Sequence, residues 1–151
     1  MRLSKNVKAR ILVIDDDEGI RKVITTALND ESYITDTASN GREAIEKSKT
    51  NAYNLAIIDI HLPDMEGTQL LSELEETTPK MRKIIVTGFP EVQNAIAAVK
   101  KGANDYITKP VKIDVLINSI REQLRKQREE KNYSEEKVAE YIETRLRENQ
   151  P

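Results

Sequence analysis

The 151-residue sequence contains no cysteine and no tryptophan, and its aromatic residues are limited to five tyrosines and one phenylalanine. The absence of cysteine excludes disulfide bonds and cysteine-based zinc sites, and it suits a reducing compartment. No apolar run approaches the ~20 residues of a membrane-spanning helix, and no apolar segment follows the basic start as it would in a signal peptide. We therefore expect a cytoplasmic protein with an aliphatic core and no membrane insertion.

The chain also lacks an excess of charge of either sign. Charged residues make up 33% of the sequence, yet the formal net charge is only -2. A chain with this balance offers no overall electrostatic attraction for nucleic acid or anionic lipid, so direct nucleic acid binding is not expected. The length suggests one domain with an appendage.

Short apolar runs alternate along the chain with segments of helical periodicity. The runs predict strands at 10–14, 33–38, 54–58, 82–88 and 104–108, and the periodic segments predict helices at 19–29, 42–49, 68–76, 91–102 and 112–127. This alternation predicts a doubly wound, flavodoxin-like α/β fold: a five-stranded parallel sheet with helices on both faces. The first, third and fourth strands are continuously apolar, as expected where both faces of a sheet are covered.

Polar residues follow four of the predicted strands. Asp15 to Asp17 come directly after the first strand and Asp59 after the third, while Thr87 ends the fourth and Lys109 follows the fifth. The carboxyl ends of parallel strands meet at one edge of the sheet, where such folds bind ligands. We therefore expect these side chains to lie together.

Carboxylates gathered at one edge repel one another and raise each other's pKa. A hard cation or a proton shared between two acids would relieve the repulsion, and Mg²⁺ is commonly held by one or two carboxylates together with a phosphate. Thr87 can donate a hydrogen bond to a phosphate oxygen, and Lys109 supplies a positive charge. The set suits transfer of a phosphoryl group to a carboxylate.

With these residues in place, the sequence resembles the receiver domain of response regulators, the phosphoacceptor half of two-component signalling. The matching segments are ILVIDDDEGIR, AIIDIHLPDMEG, IIVTG and KKGANDYITKP, and the resemblance covers roughly residues 9 to 126. It implies that Asp59 is the phosphoacceptor. It also implies that Asp15, Asp16 and Asp59 hold Mg²⁺ together with the backbone carbonyl of His61.

The resemblance implies further roles around the site. Thr87 would bond the incoming phosphoryl group and move toward it, Lys109 would pair with its charge, and Tyr106 would be the switch that turns inward. The Lys109–Pro110 bond resembles the family's cis peptide. Side chains two positions after the phosphoacceptor and after the threonine tune hydrolysis in this family, and these are His61 and Phe89 here.

Glycine and proline residues near the site are expected to shape its backbone. Pro63 and Gly67 would form the turn after Asp59, and Gly88 would keep the pocket open beside Thr87.

Taken singly, the polar and aromatic residues near the site also have ordinary explanations. Asp17 is best explained as a helix N-cap, and Tyr106 alone would be half-buried sheet packing.

The predicted organisation is a flexible N-terminus at 1–9, a receiver domain at 10–127 and a helical extension or linker at 128–151. Asn132 to Ser134 suggest a break, with Ser134 as the N-cap of a sixth helix. An apolar stripe follows at Val138, Tyr141, Ile142 and Leu146. It could pack back on its own domain, stay solvated, form a homodimer, or begin a linker to an output domain.

The expected function is that of a phosphoacceptor rather than an enzyme acting on a free substrate. Asp59 would take a phosphoryl group from a histidine kinase or phosphotransfer protein, and the face of the fourth and fifth helices would switch to control a partner or self-association. The alternatives are an interaction module that is not phosphorylated and a fragment of a longer regulator. An aspartyl-phosphate hydrolase is disfavoured because it needs a second acid at the position of His61. A DNA-binding regulator is disfavoured because no helix-turn-helix pattern follows residue 127.

Overall fold

The computed structural model describes residues 8–74, 77, 79–88 and 91–149. Within them, strands and helices alternate as the sequence predicts. The strands are β1 (Arg10–Ile14), β2 (Ile34–Ala38), β3 (Leu55–Ile58), β4 (Arg82–Thr87) and β5 (Asp105–Thr108). The helices are α1 (Glu18–Asp30), α2 (Gly41–Thr50), α3 (Gly67–Glu73), α4 (Val92–Lys100) and α5 (Ile113–Glu148). Residues 75 and 76, which the predicted third helix included, and residues 1–7 lie outside the described residues.

The five strands form one parallel sheet in the order β2-β1-β3-β4-β5. Alternate residues of β1 point to opposite faces, so Leu12 joins a core cluster with residues of α2, α3 and α4, and Val13 joins a second cluster with residues of α1 and α5. The predicted flavodoxin-like fold is therefore confirmed. All four residues of β3 are buried, which explains their continuous hydrophobicity.

Polar caps set the starts of two helices, and one glycine follows the end of a third. The Asp17 side chain accepts a hydrogen bond from the Ile20 amide at 3.0 Å, which confirms Asp17 as the N-cap of α1. Asn40 caps α2 in the same way through the Glu43 amide. Gly102 follows the end of α4 with φ 102°, a left-handed conformation that glycine adopts without strain.

The predicted break at Asn132 to Ser134 is wrong. Helix α5 continues from Ile113 to Glu148, so the extension is helical but is not a separate sixth helix. Asparagine and serine in a helix interior cost only a few tenths of a kcal/mol each relative to alanine. A break would leave eight backbone groups at two new helix ends without helical partners, so continuing the helix is favoured.

The two parts of α5 differ in burial. Residues as far as Gln127 pack on the sheet, whereas residues 128–148 are exposed throughout. Ion pairs along the exposed surface include those between Arg125 and Glu129 and between Arg147 and Glu143. No helix among the described residues is long and apolar enough to cross a membrane.

Candidate functional site

Two buried aspartates lie at the carboxyl edge of the sheet because their amides extend its hydrogen bonding. The Asp59 amide donates to the Ile14 carbonyl at 3.0 Å, and the Asp15 amide donates to the Ala38 carbonyl at 3.1 Å. Asp15 is 3% exposed and Asp59 is 6% exposed, whereas Asp16 is open to solvent. The neighbouring central strands therefore place both carboxylates at one point.

The three aspartates form a cluster with the spacing that a small cation requires. One carboxylate oxygen each from Asp15, Asp16 and Asp59 lies within 4.8 Å of the others. Mg²⁺ binds oxygen at about 2.1 Å, so oxygens on opposite sides of the ion are ~4.2 Å apart. The donor set and its dimensions thus fit Mg²⁺.

Lys109 contacts two of these carboxylates directly. Its Nζ lies 2.8 Å from Asp15 Oδ2 and 3.2 Å from Asp59 Oδ2. Its backbone amide donates to the Thr87 carbonyl at 2.8 Å, which ties the end of β5 to the end of β4. Burial alone would lower the pKa of Lys109, but the hydrogen bond and charge of Asp15, followed by those of Asp59, raise it overall. The ammonium group therefore stays charged inside the pocket. The predicted cis bond between Lys109 and Pro110 is confirmed.

The surroundings of Asp59 disfavour the ionised form of its carboxyl group. Burial raises its pKa, and the neighbouring charge of Asp15 raises it further, while Lys109 and the His61 amide oppose the shift. The His61 amide donates to Asp59 Oδ1 at 3.3 Å. A second positive charge in the pocket would favour the ionised form, which is the form that can act as a nucleophile.

The turn after Asp59 depends on Gly67, as predicted. A Cβ atom at Gly67 would lie 2.4 Å from the Asp59 carbonyl oxygen, so any side chain would force the backbone apart. The Gly67 amide donates to the Ile60 carbonyl at 2.6 Å, which closes the loop. Pro63 lies exposed within this loop.

His61 lies on the surface beside the pocket. Its side chain is 43% exposed, and Nδ1 lies 3.7 Å from Oε2 of Glu66, the residue that it faces in an isolated β-bridge. The His61 side chain is therefore largely open to solvent. Phe89, the other residue predicted to tune hydrolysis, lies outside the described residues.

Thr87 and Tyr106 lie on the same face of the sheet. Thr87 pairs in register with Thr108, two residues after Tyr106 on β5, and side chains two residues apart share a face. Thr87 is fully buried. The Tyr106 ring packs against the core cluster on this face, and its buried hydroxyl has no hydrogen-bond partner among the described residues.

The backbone of Gly88 leaves room for a Cβ atom. A Cβ atom there would lie 3.9 Å from the stem of Lys109, which is an ordinary contact. An alanine therefore fits at this position, and the predicted role of Gly88 in keeping the pocket open stays a prediction.

Two supporting residues were missed by sequence reasoning. Arg21 donates from Nη1 to the Asp15 carbonyl at 2.7 Å, which holds the loop after β1 against α1. Asp64 caps the start of α2 through the amides of Gly41 and Arg42. The Asp64 contact spans more than twenty positions, so no local pattern could reveal it.

Comparisons with known proteins identify the family. The model of the response regulator receiver domain matches residues 11–121. The chain belongs to this family. The match ends before Gln127, so the predicted division between domain and extension at that residue stays a prediction.

A solved receiver domain protein from Methanospirillum hungatei JF-1, described as CheY-like, is 39% identical and superposes with a TM-score of 0.79. The alignment covers 82% of this chain and 99% of that one. Among curated proteins, the transcriptional regulatory protein YkoG of Bacillus subtilis (strain 168) is 32% identical over 78% of this chain and 52% of its own length. The transcriptional regulatory protein GlrR of Escherichia coli (strain K12) is 34% identical over 74% of this chain and 25% of its own length. The chain thus spans about half or a quarter of these curated relatives.

Proposed function

We propose that this receiver domain accepts a phosphoryl group on Asp59 from the phosphohistidine of a histidine kinase or phosphotransfer protein. The observation that carries the proposal is the joint contact of Lys109 with the carboxylates of Asp15 and Asp59. A lysine between two buried acids at a sheet edge is costly to maintain for stability alone, because all three charged groups must be desolvated. The arrangement is suited to binding an anionic group that arrives at Asp59.

In the proposed reaction, an oxygen of the Asp59 carboxylate attacks phosphorus and forms an O–P bond. The N–P bond of the donor breaks, and its electron pair stays on the imidazole ring, which recovers a proton from solvent. Lys109 then balances the charge of the acyl phosphate, and Thr87 donates a hydrogen bond to one of its oxygens. Asp15, Asp16 and Asp59 would hold Mg²⁺ with the His61 carbonyl, and the ion would neutralise charge that develops on the transferring group.

The consequence of phosphorylation would be a change on the face formed by α4 and α5. Thr87 and Tyr106 share one face of the sheet, and the buried Tyr106 hydroxyl lacks a hydrogen-bond partner among the described residues. A buried hydroxyl without a hydrogen-bond partner costs free energy. A rearrangement that gives the Tyr106 hydroxyl a partner would recover that free energy. Such a change would control a protein partner or self-association, without turnover of a free substrate.

The experiment is a measurement of intact mass after incubation with Mg²⁺ and a small-molecule phosphodonor. The parent chain should gain the mass of one phosphoryl group and lose it under mild base, as an acyl phosphate does. The Asp59→Asn variant should gain none. If neither protein gains mass, even when candidate kinases are supplied, the chain is an interaction module that is not phosphorylated.

A second candidate is the receiver part of a longer regulator. Two observations favour it: the curated relatives are transcriptional regulators that extend well beyond the matched segment, and α5 continues about 30 Å past Gln127 at 1.5 Å per residue. The function of the Asp59 site is the same in both candidates. The histidine kinase donor, the cytoplasmic location and the homodimer stay predictions.

A further inference from the structure

The loop that follows Asp59 is attached to the beginning of α2. Asp64 Oδ1 accepts a hydrogen bond from the Gly41 amide, and Oδ2 accepts one from the Arg42 amide, both at 2.9 Å. The Asn40 side chain accepts from the next amide, that of Glu43, at 2.8 Å. Each of the first three amides of α2 therefore donates to a side-chain oxygen. Asp64 provides two of these oxygens and Asn40 provides the third. These hydrogen bonds, that of Gly41 first, lower the pKa of Asp64.

A second contact joins the same two segments. A Cβ atom at Gly41 would lie 2.4 Å from the Met65 sulfur, so Met65 covers the glycine closely. Met65 also packs against the core cluster that contains Leu12 and Ile14 of β1. The loop is thus held on α2 by a polar contact and an apolar contact from adjacent residues.

The strand order gives this attachment its significance. Strand β1 lies between β2 and β3, so a link from the loop after β3 to the helix after β2 passes beside the end of β1. That end carries Asp15 and Asp16. The loop begins at Asp59, and the His61 amide bonds the Asp59 carboxylate. A shift of the loop would therefore change the distances between Asp59, His61 and the acids of β1.

We propose that Asp64 is a positioning residue for the phosphorylation site: by holding the 59–66 loop against α2, it keeps Asp59 and the His61 carbonyl at the separation that Mg²⁺ binding requires. This inference rests on the proposed function. Mg²⁺ demands near-ideal octahedral geometry, so a small displacement of a ligand weakens binding. Residues that orient metal ligands commonly affect affinity about 10- to 100-fold.

The test compares Asp64→Ala with Asn40→Ala, a matched variant. Both substitutions remove a side-chain cap from α2, but only the first releases the loop. The Mg²⁺ dissociation constant is measured by calorimetry with the metal alone, and the urea midpoint is measured for each protein. We expect Asp64→Ala to bind Mg²⁺ about tenfold more weakly than the parent, while Asn40→Ala stays within about twofold at a similar loss of urea midpoint.

A third variant, Asp64→Asn, keeps one acceptor oxygen and should lie between the parent and Asp64→Ala. Since Asp64 is exposed, this variant also gives a folded protein for comparison. Equal Mg²⁺ affinities in Asp64→Ala and the parent would overturn the inference, as would equal losses in Asp64→Ala and Asn40→Ala. A parent chain that binds no Mg²⁺ and takes no phosphoryl group would instead overturn the proposed function, and the inference with it.

Discussion

At the scale of single residues, the site concentrates charge where a folded protein tolerates it poorly. Asp15 and Asp59 are both buried, and Lys109 is the cation that contacts them. The raised pKa of Asp59 shows that one lysine does not fully offset burial and the charge of Asp15. The folded state therefore favours the protonated form of Asp59 more than the unfolded state does.

This imbalance predicts that Asp59→Asn stabilises the protein at pH 7 in the absence of Mg²⁺. Because the folded pKa lies above the ordinary value of 3.8, the ionised carboxylate destabilises the fold above the folded pKa. The destabilisation disappears as the pH falls below 3.8, where both states are protonated. Urea unfolding from pH 7 to pH 4 should show a higher midpoint for the variant at pH 7 and a narrowing difference toward pH 4.

Saturating Mg²⁺ should make the parent more stable to urea than Asp59→Asn, the reverse of their order without the ion. A ligand at one hundred times its dissociation constant stabilises the folded state by about 2.7 kcal/mol, and the variant should gain less because it lacks one ligand carboxylate. A variant that is less stable than the parent at pH 7 without Mg²⁺ would contradict the explanation from buried charge.

At the scale of elements, α5 is joined to the amino-terminal edge of the sheet, opposite the site. Gln127 is 4% exposed, and its Nε2 donates to the carbonyls of Asn54 at 2.9 Å and Lys80 at 2.8 Å. Arg82 at the start of β4 pairs with Glu130, one turn further along α5. These contacts hold the last buried turn of the helix before it leaves the domain.

We predict that Gln127→Leu lowers the free energy of unfolding by about 1 kcal/mol, because it removes the donor that the partly buried hydrogen bonds to the Asn54 and Lys80 carbonyls share. The matched control is Gln123→Leu, one turn earlier on α5. Gln123 is also buried, but its Oε1 has no hydrogen-bond partner among the described residues and its Nε2 makes a long bond of 3.4 Å to the Asn104 carbonyl. Removing an unsatisfied acceptor costs little, so urea unfolding should show a smaller loss for Gln123→Leu. Equal losses would mean that volume and not hydrogen bonding sets the cost.

At the scale of the whole molecule, the exposed part of α5 carries an apolar stripe with no partner among the described residues. Val138, Tyr141, Ile142 and Leu146 are each more than half exposed. Val138 and Ile142 follow Ile120 and Leu124 by 18 positions each, about five helical turns, so the stripe continues the face that packs on the sheet. This continuity favours a second copy of the chain as the partner, because the helix presents a face that is already ordered.

We predict that the chain self-associates through this stripe and that the double substitution Val138→Lys and Ile142→Lys weakens the dimer at least about tenfold, or 1.4 kcal/mol. Like charges would then face each other across the helix pair. Sedimentation at increasing protein concentration measures the effect. Tyr133→Lys is the control, since Tyr133 is equally exposed but lies about 140° around the helix from Val138. A parent that stays monomeric at high concentration would rule out the homodimer.

The sequence determined the sheet and the position of the site, because both follow from local patterns. Continuously apolar runs mark strands covered on both faces, and polar residues at their ends meet at one edge of a parallel sheet. Asp15, Asp59 and Lys109 could be placed together on this basis, and the structure brings them within hydrogen-bond distance through Lys109. The predicted role of Phe89 in tuning hydrolysis stays a prediction, since Phe89 lies outside the described residues.

Only the tertiary structure decided the contacts between segments that are distant in the sequence. Asp64 finds its partners on α2 and Gln127 finds its partners on the loops before β3 and β4, across separations that carry no periodic signal. The tertiary structure also decided that α5 continues without a break. The N-cap propensity of Ser134 is a weak local preference, and a helix already anchored by its buried turns continues past it.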